Sequence, residues 1–389
     1  MSDNEMPLED RSSKITFANQ LRGLAVVCVM IAHYTIVYWG PREFVAGYMH
    51  APAAVGPAPR WAEYIAFPTL NYGPFGVALF FLISGFVIPF SLEKMGSLRF
   101  IAARMLRIFP TYWLCSAITL SALWVSSQYW STSYRLQQDV LVANSLLVHE
   151  HLDLPSIDLV NWTLVIEVRF YIAAALMWPL IRRSSVLAIF NFSLAVLALL
   201  TWIPPSWSVI QLRGTLVSVE SMKAELLFLP FLFIGTLFHF GLKGHISPRT
   251  LWSSVLGVFL IFSMMWKKSP LAAEFPLVTA NYLYALVLFG GCYMARARFK
   301  ESRILDFFAD ISYPLYLLHS LIGYAVIRFL MAHGWRFTPA MGGAFLLVVA
   351  LAYLVHVVIE VPSVRLGRRI GRSRRAPDRQ REQDLLTIK

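Results

Sequence analysis

Ten apolar stretches occupy most of this chain, at residues 16–38, 71–92, 100–126, 160–181, 186–203, 221–241, 250–266, 279–295, 304–332 and 339–360. They cluster around the roughly 20 residues that a helix needs to cross a hydrocarbon core about 30 Å thick. Inside that core a backbone must satisfy its own hydrogen bonds, which leaves the helix as the natural solution for long apolar runs. The expected fold class is an all-α integral membrane protein, a polytopic bundle of about ten transmembrane helices. The third and ninth stretches are longer and are expected to protrude or tilt. Composition supports this class: 57% of residues are hydrophobic and only 14% charged, with mean hydropathy +0.59. A soluble domain carries about a quarter charged residues.

The net charge of +12 raises nucleic acid as a partner, but the basic residues sit in short loops and at the C-terminus rather than on one folded face. The positive-inside rule and anionic lipid account for them. With a cytoplasmic N-terminus, the cytoplasmic segments hold 23 of the 34 Lys and Arg residues and the opposite loops hold 7. Both termini are therefore expected in the cytoplasm. The expected organisation is an N-terminal tail at 1–15, a membrane domain at 16–360 and a basic tail at 361–389. The first apolar run exceeds a signal-peptide core and lacks a small-residue cleavage site, so it reads as a retained helix. The loops at 39–70 and 127–159 are long. The first is expected to cap the outer face. The second contains a short apolar stretch at 140–148, suited to a re-entrant or interfacial helix. Cys28, Cys115 and Cys292 are isolated within apolar runs, with no disulfide framework and no metal-ligand spacing.

Ionisable residues inside membrane segments are costly and point to function. Arg22 and His33 lie eleven residues apart in the first stretch, on one helix face and about 16 Å apart along its axis. Arg104 and Arg107 are three apart at the start of the third stretch and share a face. With Arg22 they form a cationic mouth suited to phosphate; membrane anchoring is the other reading of the same arginines. Glu167 falls about 10 Å from the opposite surface, where it could orient a histidine, bind substrate hydroxyls, or pair with Arg169 or Arg328. Ser312 and His319 share a face of the ninth stretch, with Pro314 between them able to bend it. His319 falls in the same outer half as His33, whereas His239 and His356 lie towards the cytoplasmic side and read as structural. A histidine near neutral pKa can take a proton from a hydroxyl. A long thin donor with phosphates at one end and an acyl group at the other would bridge the arginines and histidines, and coenzyme A has that shape.

Five segments, taken in order, resemble the membrane-bound acyltransferase 3 family: LRGLAVVCVMIAH with Arg22 and His33, FFLISGF at 80–86, RMLRIFPTYW with Arg104 and Arg107, WTLVIEVRFY with Trp162, Glu167 and Tyr171, and ISYPLYLLH with Ser312, Tyr313 and His319. The resemblance spans residues 17–363. Asn19 and Gln20 stand where the family often has an acid, and Val168 stands where a second acid often follows. Some members carry a fused esterase-like domain. The 29 residues after Glu360 read only as a tail, so the chain is expected to act alone or with a separate partner.

The resemblance implies O-acylation, most often O-acetylation, of an extracytoplasmic carbohydrate or glycolipid by cytoplasmic acyl-CoA; the short loops suggest a bacterial inner membrane. The resemblance assigns His33 the catalytic position and ties Arg22, Arg104 and Arg107 to donor binding or catalysis; in the mechanism expected from the residues themselves, Glu167 and His319 orient His33 or the acceptor. Ser312, Tyr313 and Trp162 are expected to support the acceptor or the fold. Acyl-CoA is a substrate, and no permanently bound cofactor or metal is expected. Membrane lipids are the other partners, and a homo-oligomer is compatible with the reading. A multi-pass transporter of a polar or glycan-related solute is the rival from another class, although no inverted repeat is visible. A non-catalytic assembly protein of an envelope complex is the third reading.

Overall fold

The computed structural model describes residues 8–65, 69–204, 207–212 and 215–371. Arg213, the first residues of the N-terminal tail and the basic tail beyond 371 lie outside the described residues. Within them the chain is a helical bundle with one short antiparallel hairpin, in which 209–212 pair with 215–218. The long helices are α1 (Leu8–Ile31), α2 (Tyr72–Met95), α3 (Ser97–Trp130), α4 (Asn161–Leu176), α5 (Val186–Trp202), α6 (Val219–Leu242), α7 (Pro248–Trp266), α8 (Leu277–Met294), α9 (Arg303–Asp310), α10 (Ser312–Ala332), α11 (Phe337–Val355) and α12 (Val361–Gly371). Eight helical stretches among the described residues are long and apolar enough to cross a membrane.

The other two expected spans are helical but shorter. The stretch at 160–181 is α4, 16 residues long, or about 24 Å. It breaks at Met177, after which a short helix, Trp178–Ile181, carries Pro179 in its first turn. Pro179 has no N–H to give to the carbonyl of Ala175, four residues back, so the helix is interrupted ahead of it. The stretch at 186–203 is α5, 17 residues long. The ninth stretch is two helices, α9 and α10, separated at Ile311. Pro314 has no N–H to give to the carbonyl four residues back, so one helix ends and the next begins there. The third stretch, α3, runs for 34 residues, about 51 Å, and protrudes as expected. Helix continues across residue 361. A π-turn at His356–Glu360 leads into α12, which packs Gly367 against Ala103 of α3.

The local signals follow ordinary capping chemistry. Asn71, Ser185, Ser218, Ser247 and Ser302 each accept a backbone N–H in the first turn of the helix they precede. Pro248 follows Ser247 at the first position of α7, where its missing N–H costs nothing.

Helix α6 is the central post, with 83% of its apolar window buried. It crosses α2 where Gly85 meets Leu232 and Gly235. A Cβ on Gly85 would overlap the Leu232 carbonyl, and one on Gly235 would overlap the Leu82 carbonyl. Thr236 Oγ1 donates to the Gly85 carbonyl at 3.0 Å across the same crossing. Lipid gives helices little hydrophobic reason to associate, so close backbone approach at small residues carries the packing.

The two long loops fold onto one end of the bundle. The first contains a helix, Arg42–Met49, and Arg42 ties it back by donating to the carbonyls of Ala54 and Gly56. The second contains the expected short helix, Gln138–Ser145. Tyr112 and Trp113 of α3 donate to the carbonyls of Asn144 and Ser145, and the buried Asn144 amide holds the loop through Pro155 and Ile157.

Candidate active site

Two cavities meet inside the bundle. The inner one is small, about 80 Å³, and Arg22, Arg107, Glu167, Ser84, Ser312 and Tyr313 are among its walls. The outer one is about 500 Å³ and takes in His33, Trp162 and Glu225. Val77 and Tyr316 line both, so the two spaces share a wall between α2 and α10.

The arginines gather around the inner cavity from α1 and α3, with Arg22, Arg104 and Arg107 in charge–charge range of one another. Their roles divide. Arg107 lines the cavity, whereas Arg104 does not. Arg104 donates to Ser91 Oγ at 2.5 Å and lies over the rings of Phe100 and Tyr171 at 5.3 and 5.4 Å. The three-residue spacing put both on one side of α3 but did not distinguish the inward guanidinium from its neighbour.

Glu167 stands among these arginines rather than beside the histidines. It accepts a short hydrogen bond from Tyr171 Oη and another from Ser84 Oγ at 3.4 Å. Neither of the ion pairs considered for it forms: Arg169 pairs with Glu225, and Arg328 donates to the Pro52 carbonyl while lying over Trp130. A second carboxylate, Glu360, also acts on Arg107 and is bonded to His356 Nδ1 at 2.8 Å. Ser312 and Tyr313 line the inner cavity, yet both hydroxyls donate to backbone carbonyls, those of Ala309 and Ile108. Trp162 lines the outer cavity and packs against Phe228 at 5.7 Å.

His33 sits where α1 changes character. The helix passes at Ala32 into a π-turn running to Val37, and the amide of Tyr38 bonds back to the His33 carbonyl at 2.9 Å. Such turns widen the helix and often mark functional positions. His33 Nδ1 is 2.6 Å from Tyr324 Oη, and the ring borders the outer cavity. The His319 ring stands edge-on to it at 4.6 Å. His319 Nδ1 donates to the Tyr316 carbonyl at 2.8 Å. That bond requires the proton on Nδ1, so in the neutral ring Nε2 carries a lone pair. Nε2 is buried and has no hydrogen-bond partner among the described residues. His319 borders neither cavity.

Residues that spacing did not single out complete the site. Tyr324 holds His33. Asp158, from the loop before α4, accepts from Ser320 Oγ and the Leu159 amide at 2.9 and 2.6 Å. Its carboxyl is pushed up to about 6 by burial, against the opposing effect of those hydrogen bonds. His239 is bonded to Glu93, which also pairs with Lys243, in agreement with a structural role. Cys28, Cys115 and Cys292 are free. No group of three or more His, Cys, Asp or Glu among the described residues is placed to hold a metal ion.

The comparisons with known proteins bear on this arrangement. No solved structure matches significantly. The chain is 24% identical over 321 residues to the exopolysaccharide production protein ExoZ of Rhizobium meliloti (strain 1021), covering 76% of this chain and 91% of that protein. It is also 24% identical over 325 residues to nodulation protein 10 of Rhizobium leguminosarum bv. viciae, covering 75% of this chain and 82% of that one. Residues 15–357 match the family model described as an acyltransferase domain. That match takes in the arginines, both histidines and every membrane helix up to the π-turn after α11, and the chain belongs to the acyltransferase 3 family.

Proposed function

We propose that this membrane acyltransferase moves an acyl group, most simply acetyl, from cytoplasmic acyl-CoA to a hydroxyl of an extracytoplasmic carbohydrate or glycolipid, in a bacterial inner membrane. The observation that carries the reading is the pair of cavities meeting at Val77 and Tyr316, one with arginines and the other with His33. In it, Arg22 and Arg107 take the phosphates of the donor, whose oxygens suit guanidinium forks. Arg104 stiffens that end through Ser91, Phe100 and Tyr171.

His33 is the general base. With its Nδ1 proton directed to Tyr324 Oη, Nε2 is left to take the proton of the acceptor hydroxyl. The acceptor oxygen attacks the thioester carbonyl carbon. The tetrahedral intermediate collapses as the C–S bond breaks, and the imidazolium returns its proton to the departing thiolate. His319, bordering neither cavity, acts as a positioning residue behind His33. Glu167 is a counter-charge that holds the arginines in place. The rhizobial relatives, by name concerned with exopolysaccharide production and nodulation, support a glycan-linked role.

The test is transfer from radiolabelled acetyl-CoA to an envelope glycan extract by protein in nanodiscs. Label should appear on glycan with the wild type and be absent with His33→Ala or Arg22→Ala of wild-type thermal stability. Full transfer by a folded His33→Ala protein would remove His33 from the chemistry. Neither transfer nor acyl-CoA binding by the wild type would overturn the reading.

A further inference from the structure

Three carboxylates line the outer cavity, and one of them has an unused oxygen. Glu225, on α6, is 4% exposed. Its Oε2 accepts from Arg169 Nε at 3.0 Å and lies 3.1 Å from His151 Nε2, which is itself 2.6 Å from Arg169 Nη2. Oε1 is buried, has no hydrogen-bond partner among the described residues, and belongs to a residue that walls the cavity. A carboxylate paired with an arginine frequently engages both oxygens with the guanidinium fork. Here the fork is split between Glu225 and His151. A buried acceptor without a donor is costly, which marks Oε1 as awaiting a donor from a ligand.

The rest of the wall specifies which donor. Glu150 and Glu274 line the same cavity, and no Lys or Arg among the described residues does. Arg169 balances one of these three carboxylates from behind the wall. Trp162 and Trp266 add flat apolar faces, both packed on Phe228 at 5.7 and 5.6 Å. Carboxylate oxygens accept from hydroxyl groups, and flat rings suit the C–H faces of a pyranose. The volume of about 500 Å³ lies within the roughly 300–1,000 Å³ usual for small-molecule sites.

We propose that this cavity is a charge-selective acceptor subsite: it takes an uncharged sugar unit, with Glu225 Oε1 accepting one of its hydroxyls, and turns away units that carry a carboxylate. This rests on the acyltransfer reading for His33 at its edge, but it concerns which acceptor is held there. Unlike charges favour entry and like charges oppose it. The inner cavity, with its arginines, selects the anionic donor, so the two ends of the path sort their ligands by opposite sign.

The test uses methyl glycosides paired with their uronides: glucoside with glucuronide, galactoside with galacturonide, mannoside with mannuronide. Each pair differs only in –CH₂OH against –COO⁻. Binding is followed by tryptophan fluorescence in nanodiscs, and transfer by label from acetyl-CoA. In at least one pair the neutral sugar should bind and accept at least ~10-fold better than its uronide. Glu225→Gln should raise the neutral acceptor's KM several-fold, narrow that preference and leave the KM for acetyl-CoA unchanged. Because Glu225→Gln also disturbs Arg169, Glu274→Gln serves as a second variant, and it too should narrow the preference. Equal or better binding of the uronides, or no saturable binding of any pair, would overturn the subsite. Charge-selective binding without transfer would leave the subsite standing and count against the transfer reading.

Discussion

The Nδ1 of His33 lies 2.6 Å from the hydroxyl of Tyr324, joining the π-turn after α1 to the middle of α10. The bond fixes the ring and directs which nitrogen meets the outer cavity. Removing the partner that orients a metal-bound histidine commonly costs about 10–100-fold in activity, and Tyr324 orients His33 in the same manner. Tyr324→Phe is therefore expected to lower kcat by about that factor, with the KM for acetyl-CoA and the thermal midpoint close to wild type. Steady-state transfer kinetics check this, and an unchanged kcat would show that Tyr324 only packs.

The two arginines of the RMLR segment should respond differently. Arg107 faces the inner cavity, while Arg104 is held by Ser91 and two aromatic rings. Hydrogen bonds to charged groups contribute about 1.5–3 kcal/mol, or roughly 10–150-fold in affinity. Arg107→Lys should raise the KM for acetyl-CoA at the lower end of that range, since lysine keeps the charge but loses the fork. Arg104→Lys should mainly lower the thermal midpoint. The inhibition constant of free CoA, measured on both variants, separates these outcomes. A larger effect at Arg104 would reverse the assignment.

Much of this was legible in the sequence because it is periodic or local. The apolar runs gave the membrane class, and the motif order gave the family. Matching depth placed His33 and His319 together, and they are ring to ring. Glu167 shows what depth alone leaves open. Counting residues from a loop gives depth but not azimuth, and its side chain turns to the arginines. Tyr324, Asp158 and Glu225 carry no local signature. Each acquires its role from a helix or loop far away in the chain, as in the 291-residue separation between His33 and Tyr324. The π-turn at Ala32–Val37 has no local sequence signal because it depends on the packing around it, and the plain 3.6-residue repeat does not hold through His33.

The crossing of α2 and α6 leaves no room at Gly85. A side chain there would overlap the Leu232 carbonyl, which belongs to a central helix that cannot easily move. Gly85→Val is expected to destabilise the fold by at least about 1–3 kcal/mol, the usual range for overpacking. The loss should appear as a lower thermal midpoint and aggregated protein on size exclusion, even though valine suits lipid. A monodisperse variant with the wild-type midpoint would mean that the crossing is looser than this packing implies.

Asp158 gives the fold a pH dependence of defined sign. Its carboxyl is raised from an ordinary 3.8 to about 6 by burial. Below about pH 4 both the folded and unfolded chains hold the proton. Between about 4 and 6 the folded state keeps it while the unfolded chain releases it, so each pH unit costs the fold about 1.4 kcal/mol. The stabilisation is full below pH 3.8, is lost as pH rises through about 6, and amounts to something on the order of 3 kcal/mol. Asp158→Asn removes the titration. It keeps the acceptor oxygen, Oδ1, to which Ser320 and Leu159 both donate. The thermal midpoint of Asp158→Asn relative to wild type should climb from pH 4 to about 6.5 and then level off. Other carboxylates titrate equally in both proteins and cancel in the difference. A difference that is flat across this range would mean that the Asp158 carboxyl titrates in the folded protein as it does in the unfolded chain.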